Sequence, residues 1–482
     1  MRHLIYSRNR KNPVARADIR RAFSSCALVV SSAVLGLLLV PERAAAQTLE
    51  QAFVQAYQTN PGVISARALL RQTDEQAPQA RGGWRPTVSF TGSSGITSVE
   101  QSSYGVTGIK DHSYPRTVSL QATLPIYTFG RVEARVEAAD ATIEAQRASL
   151  FRTEQDTFVA TASAYLTVIR EAATLGLQES NLERLRQQLE ATRARFEVED
   201  LTRTDVAQAE ASVAEAEADM MQARASLAQA RVTFARVVGE QPGNLVMPEI
   251  PEGLPGSRSE AIDVATGSNF SLLQAKFSEA AARRQLAAAK ADLLPSIDFV
   301  TDISQSENSG GYRNKSWNAT ATLRLSVPLY QSGVTYSKAR EANENLRRLR
   351  FAAIDQDRAA REGAANAFEA LQGSQSQLDA LEAQIAAAAI ALEGVQSEAS
   401  VGARSVVDVL DAEQTLLDAR VRLVRARHEV LVSSYRLLAS IGRLTAQDLK
   451  LPVDYYDYDS HYRDVQSRWF GTDTSDSRYF QD

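Results

Sequence analysis

Residues 118–127 read V-S-L-Q-A-T-L-P-I-Y, and residues 321–330 read A-T-L-R-L-S-V-P-L-Y. The second stretch follows the first by 203 residues, and a shift of 209 residues relates the segments upstream of both. The six-residue difference falls between Pro86 and Pro125, in a stretch rich in Gly and Ser that predicts a loop. A repeat of this length indicates that one structural unit is present twice. Matched pairs include Asn60 with Asn269, Phe90 with Phe299, Gly130 with Gly333, Tyr165 with Phe368, Asp205 with Asp408 and Glu210 with Glu413.

Apolar and polar side chains alternate along both quoted stretches, and a similar segment precedes each of them. A period of two over about ten residues is typical of a strand with one apolar and one polar face. We therefore expect strands at about 86–99 and 115–126 in the first copy, and at about 296–306 and 316–328 in the second. Aromatic residues stand near the strand ends, namely Trp84, Tyr104, Tyr114, Tyr127, Tyr312, Trp317 and Tyr330.

The strands allow two interpretations. They could form a soluble sheet that packs on helices, or they could belong to an outer-membrane barrel, whose strands are apolar outside, polar inside and aromatic at their ends. Such barrels need roughly eight strands or more, and an open sheet edge is not tolerated in lipid. Four strands in a membrane would thus require oligomerisation, and two, three or four chains would give 8, 12 or 16 strands.

Heptad spacing marks the second long helix of each copy. Core positions recur at alternating intervals of three and four residues from Val206 to Val237, and again from Val409. A strict seven-residue repeat predicts a left-handed coiled coil. We expect long helices at about 131–196 and 205–239 in the first copy, and at about 334–398 and 406–441 in the second. Taken alone, these helices would also fit a solvated coiled-coil scaffold.

The N-terminus has the features of a secretory leader. Basic residues precede an apolar run at 27–40, and Ala44-Ala45-Ala46 offers a small-residue cleavage site, so residues 1–46 are predicted to be a signal peptide. Cys26, the single cysteine, would leave with it, which excludes a disulfide framework and cysteine catalysis. The mature chain would keep 45 Lys and Arg against 56 Asp and Glu, and this acidic balance argues against nucleic acid as a partner.

The remaining segments complete the organisation. The first repeat covers 47–240, a linker rich in Pro and Gly covers 241–257, the second repeat covers 258–445, and an acidic, tyrosine-rich tail covers 446–482. Enzyme chemistry has little support, because no two of the four His have metal-ligand spacing and no G-x-S-x-G, phosphate loop or H-E-x-x-H is present. We expect no catalytic residue, metal or cofactor.

Four motifs carry a resemblance to a known family: L-P-I-Y-T-F-G-R at 124–131, V-P-L-Y-Q-S-G at 327–333, L-T-R-T-D-V at 201–206 and V-G-A-R-S-V-V-D-V-L-D-A at 401–412. With the leader, the duplicated strand pairs and the heptad helices, the chain resembles the TolC family of outer-membrane efflux and type I secretion ducts over 47–450. The resemblance implies a mainly α protein with a small β part. Three chains would form a 12-stranded outer-membrane β-barrel, continued by a periplasmic α-helical barrel, and the tail at 446–482 would be periplasmic.

The same resemblance implies a function and partners. The homotrimer would sit in outer-membrane lipid and export small molecules or secreted proteins. It would dock with a periplasmic adaptor and with an inner-membrane transporter, either an efflux pump or an ABC exporter, and it would catalyse no reaction. A periplasmic coiled-coil adaptor is one alternative, although that class has one hairpin and a compact barrel domain. A structural scaffold is another, although it gives no reason for the alternating strands.

The resemblance also assigns roles at the helix ends. Thr204, Asp205 and Arg404 match the family's periplasmic gate, in which an Arg–carboxylate clamp can be broken to open the channel. Asp408 and Asp411 match two acidic rings whose repeated carboxylates make the entrance cation-selective. The tips that dock with the adaptor are Val198, Glu199, Asp200, Val401, Gly402 and Ala403. The chain departs from the family pattern twice, with Ala399 at the gate tyrosine position and Glu199 at a usual glycine position.

Overall fold

Long helices dominate the computed structural model, which describes residues 47–103, 106–309 and 314–472. The predicted signal peptide, Tyr104, Tyr312 and the end of the predicted tail lie outside the described residues. The helices are α1 (Leu49–Thr59), α2 (Pro61–Asp74), α3 (Gln76–Arg81), α4 (Arg131–Glu197), α5 (Arg203–Val238), α6 (Arg258–Ser268), α7 (Phe270–Ala291), α8 (Val334–Ser400), α9 (Val406–Ser440) and α10 (Ser460–Val465). The strands are β1 (Thr87–Ser94), β2 (Thr97–Ser103), β3 (Val106–Ser113), β4 (Arg116–Tyr127), β5 (Ser296–Glu307) and β6 (Lys315–Ser326).

The sequence repeat recurs in three dimensions as matched hydrogen bonds. The Asn60 side chain caps α2, and its Nδ2 donates to the Val237 carbonyl at 2.9 Å. Asn269 caps α7 in the same way, and its Nδ2 donates to the Ser440 carbonyl, also at 2.9 Å. Each asparagine thereby ties the start of a short helix to the end of the coiled-coil hairpin of its own copy. At these positions the two copies have equivalent contacts, as the sequence repeat predicts.

A left-handed glycine follows each hairpin. Gly442 has φ +78°, and a Cβ placed on it would lie 2.1 Å from the Ser268 carbonyl oxygen. Gly239, its counterpart in the first copy, has φ +99°. Only glycine adopts this backbone conformation without strain and also allows so close an approach. The end of α9 can therefore pack directly on the end of α6.

The long helices pack as two antiparallel hairpins, α4 with α5 and α8 with α9. The predicted seam of α5 is buried from Ala209 to Val237, except for Val213, which is partly buried. α9 buries a wider face than the heptad pattern predicts, because it packs on α4 as well as on α8. The bounds of all four helices lie within two residues of those predicted. At 67 residues each, α4 and α8 are roughly 100 Å long.

The largest apolar core lies where the short helices meet the long ones. Phe53 packs against Phe158 with ring centroids 5.1 Å apart, and against Tyr435 at 5.8 Å. Tyr165 is fully buried, and its hydroxyl lies 2.7 Å from the carbonyls of Gln47 and Val246. This hydroxyl thus ties two segments to α4. One is Gln47, two residues before α1, and the other is Val246 in the linker between the copies.

The main sheet has the order β1-β4-β5-β6, and every neighbouring pair is antiparallel. Both predicted strand pairs form, and the β4–β5 ladder joins the two copies into one sheet. β1 pairs only with β4 and β6 only with β5 among the described residues, so each has an edge without a partner strand. An edge of this kind presents unpaired backbone groups to a further strand.

The first copy has more strand structure than predicted. In place of one strand over 86–99 and a loop, β1 ends at Ser94, and β2 and β3 form a separate antiparallel pair. The prediction was wrong here for a local reason. The β1–β4 ladder ends at Ser94 and Arg116, because Pro115 comes next and has no N–H with which to continue it. Gly95 donates its N–H to the Pro115 carbonyl at 3.1 Å, and the chain then begins a second ladder.

Candidate functional site

The turns that end the two hairpins have the same backbone geometry. At the first, the N–H of Glu199 donates to the Phe196 carbonyl at 2.9 Å, and the N–H of Asp200 donates to the Arg195 carbonyl at 3.0 Å. Gly402 and Ala403 make the equivalent bonds at the second turn, at 3.2 and 2.9 Å. Both turns satisfy the last carbonyls of a helix through a left-handed residue.

Glu199 occupies that left-handed position with φ +60°, where its counterpart Gly402 has φ +77°. A residue with a Cβ costs roughly 1–2 kcal/mol more than glycine in this conformation. The first turn therefore keeps the geometry of the second despite the substitution, and it carries an added carboxylate. Val198 and Val401, the residues just before each left-handed position, are 74% and 79% exposed. The residues assigned to docking thus form two exposed, similarly shaped tips.

Two of the predicted gate and ring carboxylates cap helices. Asp205 Oδ2 accepts from the Thr202 N–H at 2.9 Å and from the Thr202 hydroxyl at 2.7 Å, and the Asp205 N–H donates to the same hydroxyl. Asp408 makes the matching set with Ser405. These hydrogen bonds stabilise the charged carboxylates, so the pKa of Asp205 and that of Asp408 are both lowered.

The capping role could have been found in the sequence. T-R-T-D at 202–205 and S-V-V-D at 405–408 both follow the capping-box spacing, with a hydroxyl residue three positions before an acid. Our sequence analysis assigned these acids to the gate and ring alone. Capping and gating are compatible, because a capped carboxylate is fixed in position and stays ionised.

Arg404 has its ion pair within its own turn. Its Nε donates to Glu398 Oε2 at 2.8 Å, and both side chains are about half exposed. The Glu398 and Asp408 carboxylates raise the pKa of Arg404. Among the described residues of one chain, no hydrogen bond or ion pair joins Arg404 to Asp205. Thr204 is exposed at the start of α5. The predicted clamp between Arg404 and Asp205 on the other coil is therefore not formed within one chain, and the gate stays a prediction.

Asp411 lies one helical turn beyond Asp408, at a cavity of about 160 Å³ between α4, α5 and α9. Glu413 lines the same cavity, and only 7% of this residue is exposed. Gln396 Nε2 donates to Glu413 Oε1 at 3.4 Å, while Oε2 has no partner in the described residues. Burial raises the pKa of Glu413. Glu413 is the repeat counterpart of Glu210, so the sequence repeat singled out this position. Nothing in the adjacent sequence predicted that Glu413 would be buried.

The main sheet has one continuous apolar face. Directly paired residues point to the same side of a sheet, and the ladder places Phe90 opposite Leu120, Leu120 opposite Ile303, and Phe299 opposite Leu323. In one chain this face is open, and Phe90 and Leu323 are 71% and 69% exposed. Polar side chains cover most of the other face. The exposed members of the apolar face include Val88, Phe90, Val118, Leu120, Phe299, Ile303, Trp317, Leu323 and Leu325.

None of the helices in the described part of the chain combines the length and the apolar character that a membrane-spanning helix needs. Over the same residues, no three His, Cys, Asp or Glu side chains are grouped so that they could hold a metal ion.

Comparisons with known proteins agree with this geometry. The family model for outer membrane efflux proteins matches residues 52–240 and 261–443. The outer membrane efflux protein BepC of Brucella suis is 35% identical over 460 residues, which cover 95% of this chain and 99% of that protein. Outer membrane protein TolC of Escherichia coli is 26% identical over 395 residues, 77% of each chain.

Solved structures show the same fold. The outer-membrane channel OprN superposes with a TM-score of 0.73 at 23% identity, covering 82% of this chain and 89% of that one. The outer membrane protein VceC of Vibrio cholerae superposes with a TM-score of 0.72 at 19% identity, covering 82% of this chain and 96% of that one.

Proposed function

Because this chain belongs to the outer membrane efflux protein family, we propose that three copies of it form one export channel across the outer membrane and the periplasm. The four main strands of each chain would supply one third of a 12-stranded barrel. The long helices would continue that barrel into the periplasm as a tunnel. The channel would export small molecules or secreted proteins.

One observation carries the proposal: the main sheet is apolar and exposed on one face, and within the described part of the chain its two edges have no partner strand. In lipid the apolar face is favourable, but unpaired backbone groups cost several kcal/mol each. Closure removes that cost. β1 and β6 run in opposite directions within the sheet, so β6 of one chain can pair antiparallel with β1 of the next. Three such junctions close the ring, and the tilted 12-stranded wall leaves a lumen lined by the polar face.

The two hairpin tips would form the docking surface of the tunnel. Their turns share one backbone geometry, and each presents an exposed valine, Val198 or Val401. A periplasmic adaptor with a coiled-coil hairpin could bind these tips, and an inner-membrane transporter would complete the route. A paired substitution, Val198→Asp with Val401→Asp, should then abolish adaptor crosslinking but leave the trimer intact. The control pair Gln222→Asp and Arg425→Asp, which lies farther along the hairpins and adds one more negative charge than the tip pair, should retain adaptor crosslinking.

The assembly itself is tested by native mass spectrometry of the detergent-extracted protein, together with conductance in planar bilayers. The proposal requires three chains per particle and ion conduction without any added partner. A stable monomer or dimer, or a trimer that does not conduct, would contradict it.

A further inference from the structure

The C-terminal tail is held along α2 and α3 in a fixed direction. His461 Nδ1 lies 3.1 Å from Asp74 Oδ2, and both residues are buried. Farther along, Arg81 donates to the side chain of Gln466 at 2.9 Å and to the Tyr462 hydroxyl at 3.2 Å. The tail therefore advances in the same direction as α2 and α3, which is toward the start of β1. It does not run away from the sheet into open solvent.

The described part of the tail ends at the base of the sheet. Arg85 Nη1 donates to the Arg468 carbonyl at 2.6 Å, and the Arg85 guanidinium lies 4.8 Å from the centre of the Trp469 ring. Arg85 precedes Thr87, the first residue of β1, by two positions, which is roughly 7 Å of chain. Trp469 and its neighbour Phe470 are 57% and 88% exposed. Trp469 is thus held at the end of the sheet where the strands join the helices, and the exposed side chain of Phe470 follows it in the chain.

We propose that Trp469 and Phe470 insert into the interface of the phospholipid leaflet at the periplasmic side of the outer membrane, so that the tail is a membrane anchor. This inference rests on the proposed barrel, whose strand ends define that interface. In this arrangement the anchor would lie on the outside of the barrel, near the end of β1. The tail that the sequence predicts to be periplasmic would then reach the bilayer surface at Trp469 and Phe470.

Three features favour lipid as the occupant. The exposed apolar row of β1 begins at Val88, three residues after Arg85, so the aromatic pair is held within roughly 10 Å of chain of a surface that is already apolar and exposed. Other aromatics stand at the same end of the sheet, with Trp84 and Tyr127 at 44% and 51% exposure. Aromatic girdles mark both interfaces of outer-membrane barrels. The Arg85 cation beside Trp469 also suits the negative phosphates of lipid headgroups.

The chain has three tryptophans, Trp84, Trp317 and Trp469, which permits a direct test. The double variant Trp84→Phe with Trp317→Phe leaves Trp469 as the only indole. The double variant Trp84→Phe with Trp469→Phe leaves Trp317, which shares the apolar face of β6 with Leu323 and is 69% exposed. Both variants are reconstituted as full-length protein in vesicles whose lipids carry bromine near the headgroup or near the chain end. Tryptophan fluorescence is then measured, together with quenching by aqueous acrylamide.

We expect both tryptophans to lose fluorescence to brominated lipid, and Trp469 to lose more with bromine near the headgroup than with bromine near the chain end. Adding Arg85→Ala to the variant that retains Trp469 as its only tryptophan should reduce the quenching of Trp469 by brominated lipid. The matched change Arg463→Ala removes an exposed guanidinium that pairs with Asp457 inside the tail, and it should have no such effect.

Each other outcome overturns a specific claim. If lipid quenches Trp317 while Trp469 is quenched only by acrylamide, the tail is solvated. The proposal of a membrane anchor is then wrong, while the proposal of a membrane-embedded barrel is kept. If lipid quenches Trp317 while neither reagent reaches Trp469, a neighbouring chain covers the indole and the anchor is again wrong. If lipid does not quench Trp317, the strands are not in the bilayer and the proposed function fails, together with the anchor that rests on it.

Discussion

Placing an arginine on the apolar face of the sheet should prevent assembly, whereas placing it one residue away should not. Leu120→Arg is the informative change. Leu120 is 43% exposed in one chain, and it pairs with Phe90 on one side and Ile303 on the other. Ser119 points to the opposite face, where it pairs with Thr91 and Ser304. Ser119→Arg is therefore a control at nearly the same depth and with the same added charge.

The magnitude follows from the depth of Leu120. β4 has 12 residues, which at about 3.4 Å each and a tilt of about 40° span roughly 30 Å along the membrane normal. Leu120 is the fifth residue of the strand, so it lies within roughly 5 Å of the bilayer midplane. An arginine near the midplane costs about 2–4 kcal/mol. With one copy in each of three chains, the trimer would lose roughly 6–12 kcal/mol.

Leu323→Arg should cost less per chain, because Leu323 is the ninth of the 12 residues of β6 and lies roughly 7 Å from the midplane. The assay is the fraction of heat-sensitive trimer on unheated gels, followed by urea unfolding in lipid vesicles. The predicted order of destabilisation is Leu120→Arg, then Leu323→Arg, then Ser119→Arg with little effect. Equal losses at Leu120 and Ser119 would refute the assignment of the two faces.

Other predictions concern the gate, the core and the pH dependence of stability. Arg404→Ser should raise conductance in planar bilayers, although modestly, because the family's gate tyrosine is absent; an unchanged conductance would place the gate elsewhere. Asp408→Asn with Asp411→Asn removes six charges from a trimer and should lower its preference for cations, which reversal potentials measure. Tyr165→Phe removes the hydroxyl proton that the Gln47 and Val246 carbonyls share, while Gln47 keeps the Val246 N–H as a donor, so the free energy of unfolding should fall by about 0.5–1.5 kcal/mol in urea titrations; a loss near zero would contradict the assigned hydrogen bonds. Burial raises the pKa of Glu154 to about 7 from an ordinary 4.5, so the folded chain binds this proton more tightly than the unfolded chain. Its contribution to stability, a few kcal/mol per chain, is therefore complete below pH 4.5 and is lost as the pH rises to about 7. Glu154→Gln should remove this loss, so that the free energy of unfolding varies less with pH over that range.

Sequence patterns with a fixed period predicted the structure well. The alternation of Leu120 and Leu323 with polar neighbours identified which strand face is apolar, because side chains in a strand alternate strictly. The seven-residue spacing from Val206 onward located the long helices and most of their buried seam. These features depend only on local geometry, which repeats along the chain.

Contacts between distant parts of the chain could not be predicted from the sequence. Nothing in the sequence near His461 indicates that it would meet Asp74, 387 residues away. The burial of Glu413 has the same cause, since α4 and α5 enclose it. Arg404 shows a further limit. Its role was taken from a family resemblance that pairs it with Asp205 on the other coil, whereas its partner within one chain is Glu398.

The central claim is that β1 and β6 close a ring of three chains, and disulfide crosslinking tests it most directly. The only cysteine of the chain, Cys26, would be replaced by serine, and Thr91→Cys on the polar face of β1 would be combined in turn with a cysteine at three polar-face positions of β6: Asn318→Cys, Thr320→Cys and Thr322→Cys. The account predicts that oxidation of the membrane-embedded protein gives, for at least one pair, covalent species of two and three chains and none larger. Species that stop at two chains, that extend beyond three, or that form with none of the pairs would contradict a closed trimeric barrel.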